Sequence, residues 1–141
     1  FIIGHPGETE EDFKDTLNFL NKIKFINSYS FIFSPRPGTP ASNLDLIDHK
    51  VAKDRLIKVQ QILFQYQLEH NKSFLGKKVE VLVENKMKKN QMYFGRNNYL
   101  NGVIFAGNEK LVGQTVKITI DKVNQNNLFG KIDSNSDMKA A

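Results

Sequence analysis

The chain has 141 residues, a length that sets an expectation of one domain or two small ones. Hydrophobic residues make up 40% and charged residues 25%, proportions that suit a globular fold and argue against long disorder, and no apolar run approaches the ~18–20 residues that span a bilayer. The formal net charge is +5 and there is no cysteine, which excludes a disulfide framework, a thiol nucleophile and a cysteine-held iron–sulfur cluster within these residues.

Phe1-Ile2-Ile3-Gly4 opens the chain inside what reads as the end of a buried strand, with no basic stretch ahead of an apolar core. The expectation is therefore the tail of a longer protein, with no signal peptide. A turn, His5-Pro6-Gly7-Glu8, leads into Thr9-Glu10-Glu11-Asp12. There Thr9 caps a helix, Asp12 answers three residues on, and the acidic first turn complements the helix dipole. Phe13, Leu17 and Leu20 on one face, with Thr16, Phe19 and Ile23 beside them, predict an amphipathic helix of about four turns. Ser30-Phe31-Ile32-Phe33 reads as a second strand, apolar on both faces, as in a parallel sheet covered by helices. Together these make a βαβ unit.

Ser34-Pro35-Arg36-Pro37-Gly38-Thr39-Pro40, with three prolines in seven residues, is a rigid loop just past a parallel strand, where α/β folds place their sites. Arg36 is its one charged residue. A long helix follows, roughly Lys50 to Asn71 with Asp48 as cap. Its stripe of Val51, Arg55, Val59, Ile62, Tyr66 and Glu69, widened by Ala52, Leu56 and Leu63, reads mostly as packing surface. The three histidines, His5, His49 and His70, are spaced too irregularly for a metal site.

From Lys77 the period changes from 3.6 to 2. Val79–Glu84 and Val116–Asp121 alternate, and shorter candidate strands lie at Gln91–Arg96, Gly102–Ala106 and Asn127–Ile132. Five short strands in about 60 residues suit a small OB-like β-barrel, so the expected class is α/β plus all-β, with a boundary near Ser73–Gly76. Residues 1–72 form the first part, 73–134 the barrel, and 135–141 a disordered tail.

Residues 1–72 are electrically balanced, whereas 73–133 carry ten basic and five acidic residues, so the whole excess lies in the second part. That asymmetry fits a polyanionic partner, and it equally fits a lysine-rich solubilising surface. Single-stranded nucleic acid needs cations and aromatic faces. Lys86, Lys88 and Lys89 in a polar connection, then Tyr93, Phe94, Arg96 and Tyr99, provide both. Tyr93 and Phe94 are strand neighbours that point to opposite faces, so only one of them is core.

The run Phe1-Ile2-Ile3-Gly4-His5-Pro6-Gly7-Glu8-Thr9-Glu10-Glu11-Asp12-Phe13 resembles the fifth-strand motif of the radical-SAM methylthiotransferases, with His5 in place of their usual Phe. Tyr29–Ala41 is similar to the sixth-strand signature of that family. The basic barrel resembles its C-terminal TRAM domain, with Gly95-Arg96 as the glycine-arginine step and Leu128-Phe129-Gly130 near the close. Arg36-Pro37 stands where the branch acting on a ribosomal protein has an acidic pair. Tyr29-Ser30 stands where the threonylcarbamoyl-adenosine branch has His-Val. The nearest resemblance is to the MiaB branch, which acts on N6-dimethylallyladenosine in tRNA.

The resemblance implies the end of a radical-SAM partial (β/α) barrel, a long linking helix and an RNA-binding TRAM barrel. It implies a cytoplasmic enzyme, monomeric and free of membrane, whose partner is the anticodon stem-loop of tRNA. Its cofactors are S-adenosylmethionine and two [4Fe-4S] clusters, whose cysteine ligands this chain lacks, so the fragment alone is expected to be inactive. Backbone at Ile3, Gly4, Phe33 and Ser34 would support the adenosyl group, or these are structural strand ends. Arg36 would meet phosphate or a substrate carboxylate, or pin its own loop. Lys86, Lys88, Lys89, Tyr93 and Arg96 are the candidate tRNA contacts, and no residue here is assigned as catalytic or metal-binding. The alternatives are a non-catalytic RNA-binding module and a methylthiotransferase acting on threonylcarbamoyl-adenosine tRNA.

Overall fold

The computed structural model describes residues 1–88 and 91–133, so Lys89 and the expected tail at 135–141 lie outside the described residues. Backbone contacts gather the chain into two compact units, one spanning Phe1–Gln67 and the other beginning at Leu68.

In the first unit, β1 (Ile2–Ile3) pairs in parallel with β2 (Phe31–Ile32) in the register Ile2↔Phe31 and Ile3↔Ile32, and α1 (Glu10–Ile23) connects them. This is the βαβ arrangement expected from the sequence. The helix starts where the capping box predicts: Thr9 Oγ1 accepts from Asp12 N at 3.1 Å, and Thr9 N donates to Asp12 Oδ2 at 2.8 Å. The bonds from the Thr9 hydroxyl and backbone hold the Asp12 carboxyl below its ordinary range. A depressed folded value stabilises above the unfolded one and is lost as pH falls through it. The first turn of α1 is therefore expected to fray in acid, which amide exchange at Thr9–Phe13 followed downward from neutral pH would show. Helix α2 (His49–Lys72) starts on Asp48, whose Oδ1 accepts from Val51 N at 3.1 Å.

The core of this unit is Ile3, Phe13, Leu20, Val59 and Leu63. The positions of α2 that it and its surroundings bury are Ala52, Arg55, Val59 and Leu63, whereas Val51 of the expected stripe is exposed. The sheet departs from expectation as well. Ile3 is buried under the helices, but Ile2 and Phe31 on the opposite face are 64% and 62% exposed. Alternate strand residues face opposite ways, and the described residues of this unit cover only one of the two faces.

The second unit comprises the end of α2 and five strands: β3 (Lys78–Lys86), β4 (Met92–Arg96), β5 (Gly102–Ala106), β6 (Thr115–Val123) and β7 (Asn127–Ile132). They close into a barrel in the order β3-β4-β5-β7-β6, antiparallel throughout except for the β5–β7 pair. That is the expected five-stranded barrel, and closure leaves no sheet edge unpaired. Its core is built from the inward residues of each strand, among them Val81, Val83, Tyr93, Val103, Phe105, Ile118, Ile120 and Leu128. Asn71 explains why the last turn of α2 goes with the barrel. Its Nδ2 donates to the carbonyls of Asn124 and Gln125, each at 2.9 Å, and its Oδ1 accepts from Asn101 at 3.0 Å. The Ser73–Gly76 stretch is thus the lead-in to β3. Among the described residues no helix is long and apolar enough to cross a membrane.

Candidate functional site

Each unit carries a candidate surface. In the first, the ends of β1 and β2 and the proline loop enclose an open groove of about 550 Å³, lined by Ile2, Phe31, Ile32, Phe33, Ser34, Arg36, Thr39 and Ala41. Its floor is the uncovered apolar face of the sheet. The loop is self-supported, since Thr39 Oγ1 donates to the Arg36 carbonyl at 2.8 Å and Ser42 Oγ to the Thr39 carbonyl at 2.6 Å. Arg36 itself is exposed, and its guanidinium has no ion-pair partner among the described residues. The groove therefore unites three candidates from the sequence, Phe33, Ser34 and Arg36.

Ile3 and Gly4 do not join them. Ile3 is 2% exposed in the core, and its carbonyl accepts from Phe33 N at 2.8 Å. Gly4 is buried with φ +76°, and a Cβ there would stand 2.8 Å from that of Ala52. Its N–H donates to Glu8 Oε2 at 3.0 Å. Ile3 packs with Val59 and Leu63 of α2, and Gly4 lies against Ala52 of the same helix.

Sequence reasoning missed what holds that turn. Arg55, only 7% exposed, donates through Nη1 to the Glu8 carbonyl at 3.0 Å and Glu8 Oε1 at 2.7 Å, and through Nη2 to Glu10 Oε2 at 3.1 Å. Its guanidinium also lies 5.2 Å from the Phe13 ring centroid. The available signal was an arginine on the apolar stripe of α2, with the acidic run Glu8–Asp12 elsewhere in the same unit.

On the barrel, the outward residues of three adjacent strands form a row. Phe94 of β4 pairs with Ile104 of β5, which pairs with Phe129 of β7. All three are half-buried. Cations flank the row: the Arg96 guanidinium lies 5.3 Å from the Phe94 ring centroid, and the Lys122 Nζ 5.9 Å from that of Phe129. Gly102 lets the Phe94 ring lie close, because a Cβ there would fall 2.8 Å from Phe Cε2.

Tyr93 must be corrected. It is 2% exposed, paired with Phe105 on the inner face, and so cannot stack on a base. Phe94 is the surface aromatic of the pair. Arg96 is also less free than expected, since its Nη1 donates to both Glu84 oxygens at 2.7 and 2.8 Å. Lys86 and Lys88 are exposed at the β3–β4 connection, which Met87 N closes on the Met92 carbonyl at 2.8 Å. That puts the lysines at the Met92 end of β4 and Arg96 at the other, about 13 Å apart for a strand of this length. Phe129 and Ile104 were not singled out as contacts from the sequence. The alternation in β5 and β7 marks them as outward but not as neighbours.

No group of three or more metal-ligating side chains occurs among the described residues. Residues 72–132 match the TRAM domain family. Over all 141 residues the chain is 53% identical to the tRNA-2-methylthio-N(6)-dimethylallyladenosine synthase of Pelagibacter ubique, covering 100% of this chain and 32% of that protein. Proteins of the same name from Baumannia cicadellinicola and Ruthia magnifica are 39% and 43% identical, over 99% and 94% of this chain and 31% and 30% of their own lengths. The chain thus spans about a third of the length of the curated relatives it matches.

Proposed function

We propose, from a chain that carries a TRAM domain and is kin over its whole length to the tRNA-2-methylthio-N(6)-dimethylallyladenosine synthases, that it is the C-terminal part of such a tRNA methylthiotransferase. The barrel holds tRNA at the anticodon stem-loop, and the first unit is the end of a radical-SAM (β/α) barrel. The reaction is addition of a 2-methylthio group to N6-dimethylallyladenosine beside the anticodon. The observation that carries the reading is the 53% identity over all 141 residues, an alignment that takes in both units. Two features of the fold support it. The first unit exposes an apolar sheet face, as the terminal piece of a larger parallel sheet would. The second presents aromatics between cations on the face that oligonucleotide-binding barrels use.

Iron–sulfur clusters do not fit these residues, which include no cysteine, so their ligands belong to other parts of the enzyme. S-adenosylmethionine fits the groove in kind, with apolar walls for an adenine ring and strand-end backbone at Phe33 and Ser34. When bound, it supplies the family's radical and methyl-transfer chemistry. What this chain adds is Arg36 at the groove rim, a planar fork that engages a phosphate or carboxylate bidentately. In the full-length enzyme, Arg36→Lys is expected to lower methylthiolation while leaving cluster content unchanged. Equal single-turnover activity of the lysine variant would remove the recognition role.

RNA binding is tested on the chain itself by fluorescence anisotropy of an anticodon stem-loop at several salt concentrations. Affinity is expected to fall as salt rises. Neutralising Lys86, Lys88 and Lys89 to Gln is expected to reduce the log–log slope by roughly 0.7–0.9 for each phosphate that a lysine had neutralised. Arg96→Ala should weaken binding more than any single lysine change, because it removes a cation from the Phe94 face and unmasks the charge of Glu84. Absence of binding at low salt would leave the basic surface a solubilising coat.

A further inference from the structure

At the Arg96 end of the aromatic row, two loops meet: Asn97–Asn101 between β4 and β5, and residues 124–126 between β6 and β7. Asn71 ties them together through its bonds to Asn101, Asn124 and Gln125. Asn97, 6% exposed, shapes the first loop from within, its Oδ1 accepting from Tyr99 N at 3.0 Å and Asn101 N at 2.9 Å. Leu100 sits in the left-handed region at φ +63°. The result is that Tyr99 and Leu100 stand out into solvent, 60% and 68% exposed. Tyr99 is nonetheless braced, with ring centroids 5.7 Å from Phe74 and 5.9 Å from His70.

The rim of this platform is chemically distinctive. Neither loop contains a charged residue; three of the five residues in the first and all three in the second are amides, with Asn98 and Asn126 exposed and their side chains without partners among the described residues. Neutral amides offer a donor and an acceptor side by side, the pattern that base edges complement. A braced tyrosine presents the flat face on which a base stacks. The electrostatics agree, because the platform begins directly after Arg96 in the part of the chain that holds the entire positive excess.

We propose that the Asn97–Asn101 turn is a nucleobase-binding site. One unpaired base of the bound RNA stacks on Tyr99, and the amides of Asn98 and Asn126 read its edge. This rests on the reading of the barrel as an RNA-binding module, and extends the track from the Phe94–Ile104–Phe129 row to the loop end of the barrel.

The test uses the whole chain and an RNA hairpin carrying 2-aminopurine at each loop position in turn, with a full duplex of the same stem as control. Anisotropy reports binding, and 2-aminopurine emission reports stacking. The wild-type chain is expected to quench emission at one unpaired position and not in the duplex. Tyr99→Ala and Tyr99→Leu should abolish that quenching and weaken binding by roughly five- to a hundredfold, with Tyr99→Phe close to wild type. The salt slope should stay the same in all three, because the same phosphates remain neutralised. Leucine keeps apolar contact with Phe74 and lacks a stacking face, so its loss of quenching separates stacking from support of the fold. Binding with quenching unchanged in both the alanine and leucine variants would overturn the site and leave the RNA reading intact. Failure of the wild-type chain to bind would overturn both.

Discussion

Arg55→Met is expected to destabilise the first unit by about 3–5 kcal/mol, the usual consequence of stranding one member of a buried ion pair. The side chains of Arg55 and Glu8 are 9% and 12% exposed, so the Glu8 carboxylate would lose its cation where water cannot replace it. Glu8 would keep only the bond from Gly4 N on its other oxygen. Methionine fills much of the arginine stem's volume, which makes the missing charge and its three hydrogen bonds the dominant loss. Glu10 matters less, since its carboxylate is 63% exposed and solvent screens it. Chemical denaturation followed by helical circular dichroism measures the effect. The double variant Arg55→Met/Glu8→Gln should recover much of the loss, because it leaves no buried ion uncompensated. If the single change costs under about 1 kcal/mol, the pair is no better than a surface contact. The functional corollary lies in the turn between β1 and α1. Arg55 grips the Glu8 carbonyl as well as its side chain, so its loss should loosen Gly4–Glu8, with faster amide exchange there in the variant.

Local rules made much of this fold readable. Thr9 and Asp12 announced a helix start because a capping box is a contact between residues three apart. The bounds of β5 and β7 follow from glycine and asparagine at the turns and apolar alternation between them. What sequence could not supply was phase and partnership. Tyr93 and Phe94 differ by one position in a strand, and which of them faces inward is set by pairing with Phe105 and Ile104 across β5. The row that joins Phe94 to Phe129 exists only because β5 and β7 pair in parallel after a crossover. Arg55 looked like one more member of a packing stripe, because the carboxylates that justify its burial lie in a different element. Ile3 and Gly4 were read from a motif as adenosyl supports or structural strand ends, and the sequence did not show the close approach of Ala52 or the hydrogen bonds to Phe33 and Glu8. In each case the missing information was a contact distant in sequence.

Gly130→Ala and Gly95→Ala are each expected to destabilise the barrel by about 3 kcal/mol or more, above most core overpacking changes. A Cβ at Gly130 would stand 2.2 Å from the Thr119 carbonyl oxygen, and one at Gly95 would stand 2.3 Å from that of Leu82. Both obstacles are backbone atoms, so no rotamer change relieves them and the partner strand itself must move. These glycines sit opposite β-bulges, which bend a strand, because the pairing register shifts between Val83 and Asn85 opposite β4 and between Ile120 and Lys122 opposite β7. Gly113 provides the control. Its φ of +83° makes alanine strained, but nothing lies within 4 Å of the added Cβ. Gly113→Ala should therefore cost only about 1–2 kcal/mol, the backbone penalty alone. At roughly 4–8 °C per kcal/mol for a domain this small, thermal unfolding separates the two classes. RNA binding separates them further. Displacing β7 from β6 moves Phe129 relative to Lys122 and Ile104, so Gly130→Ala should weaken binding even below its unfolding temperature, whereas Gly113→Ala should leave it unchanged. Equal stability losses at the three glycines would mean that conformational freedom, rather than close strand approach, is what the barrel requires of them.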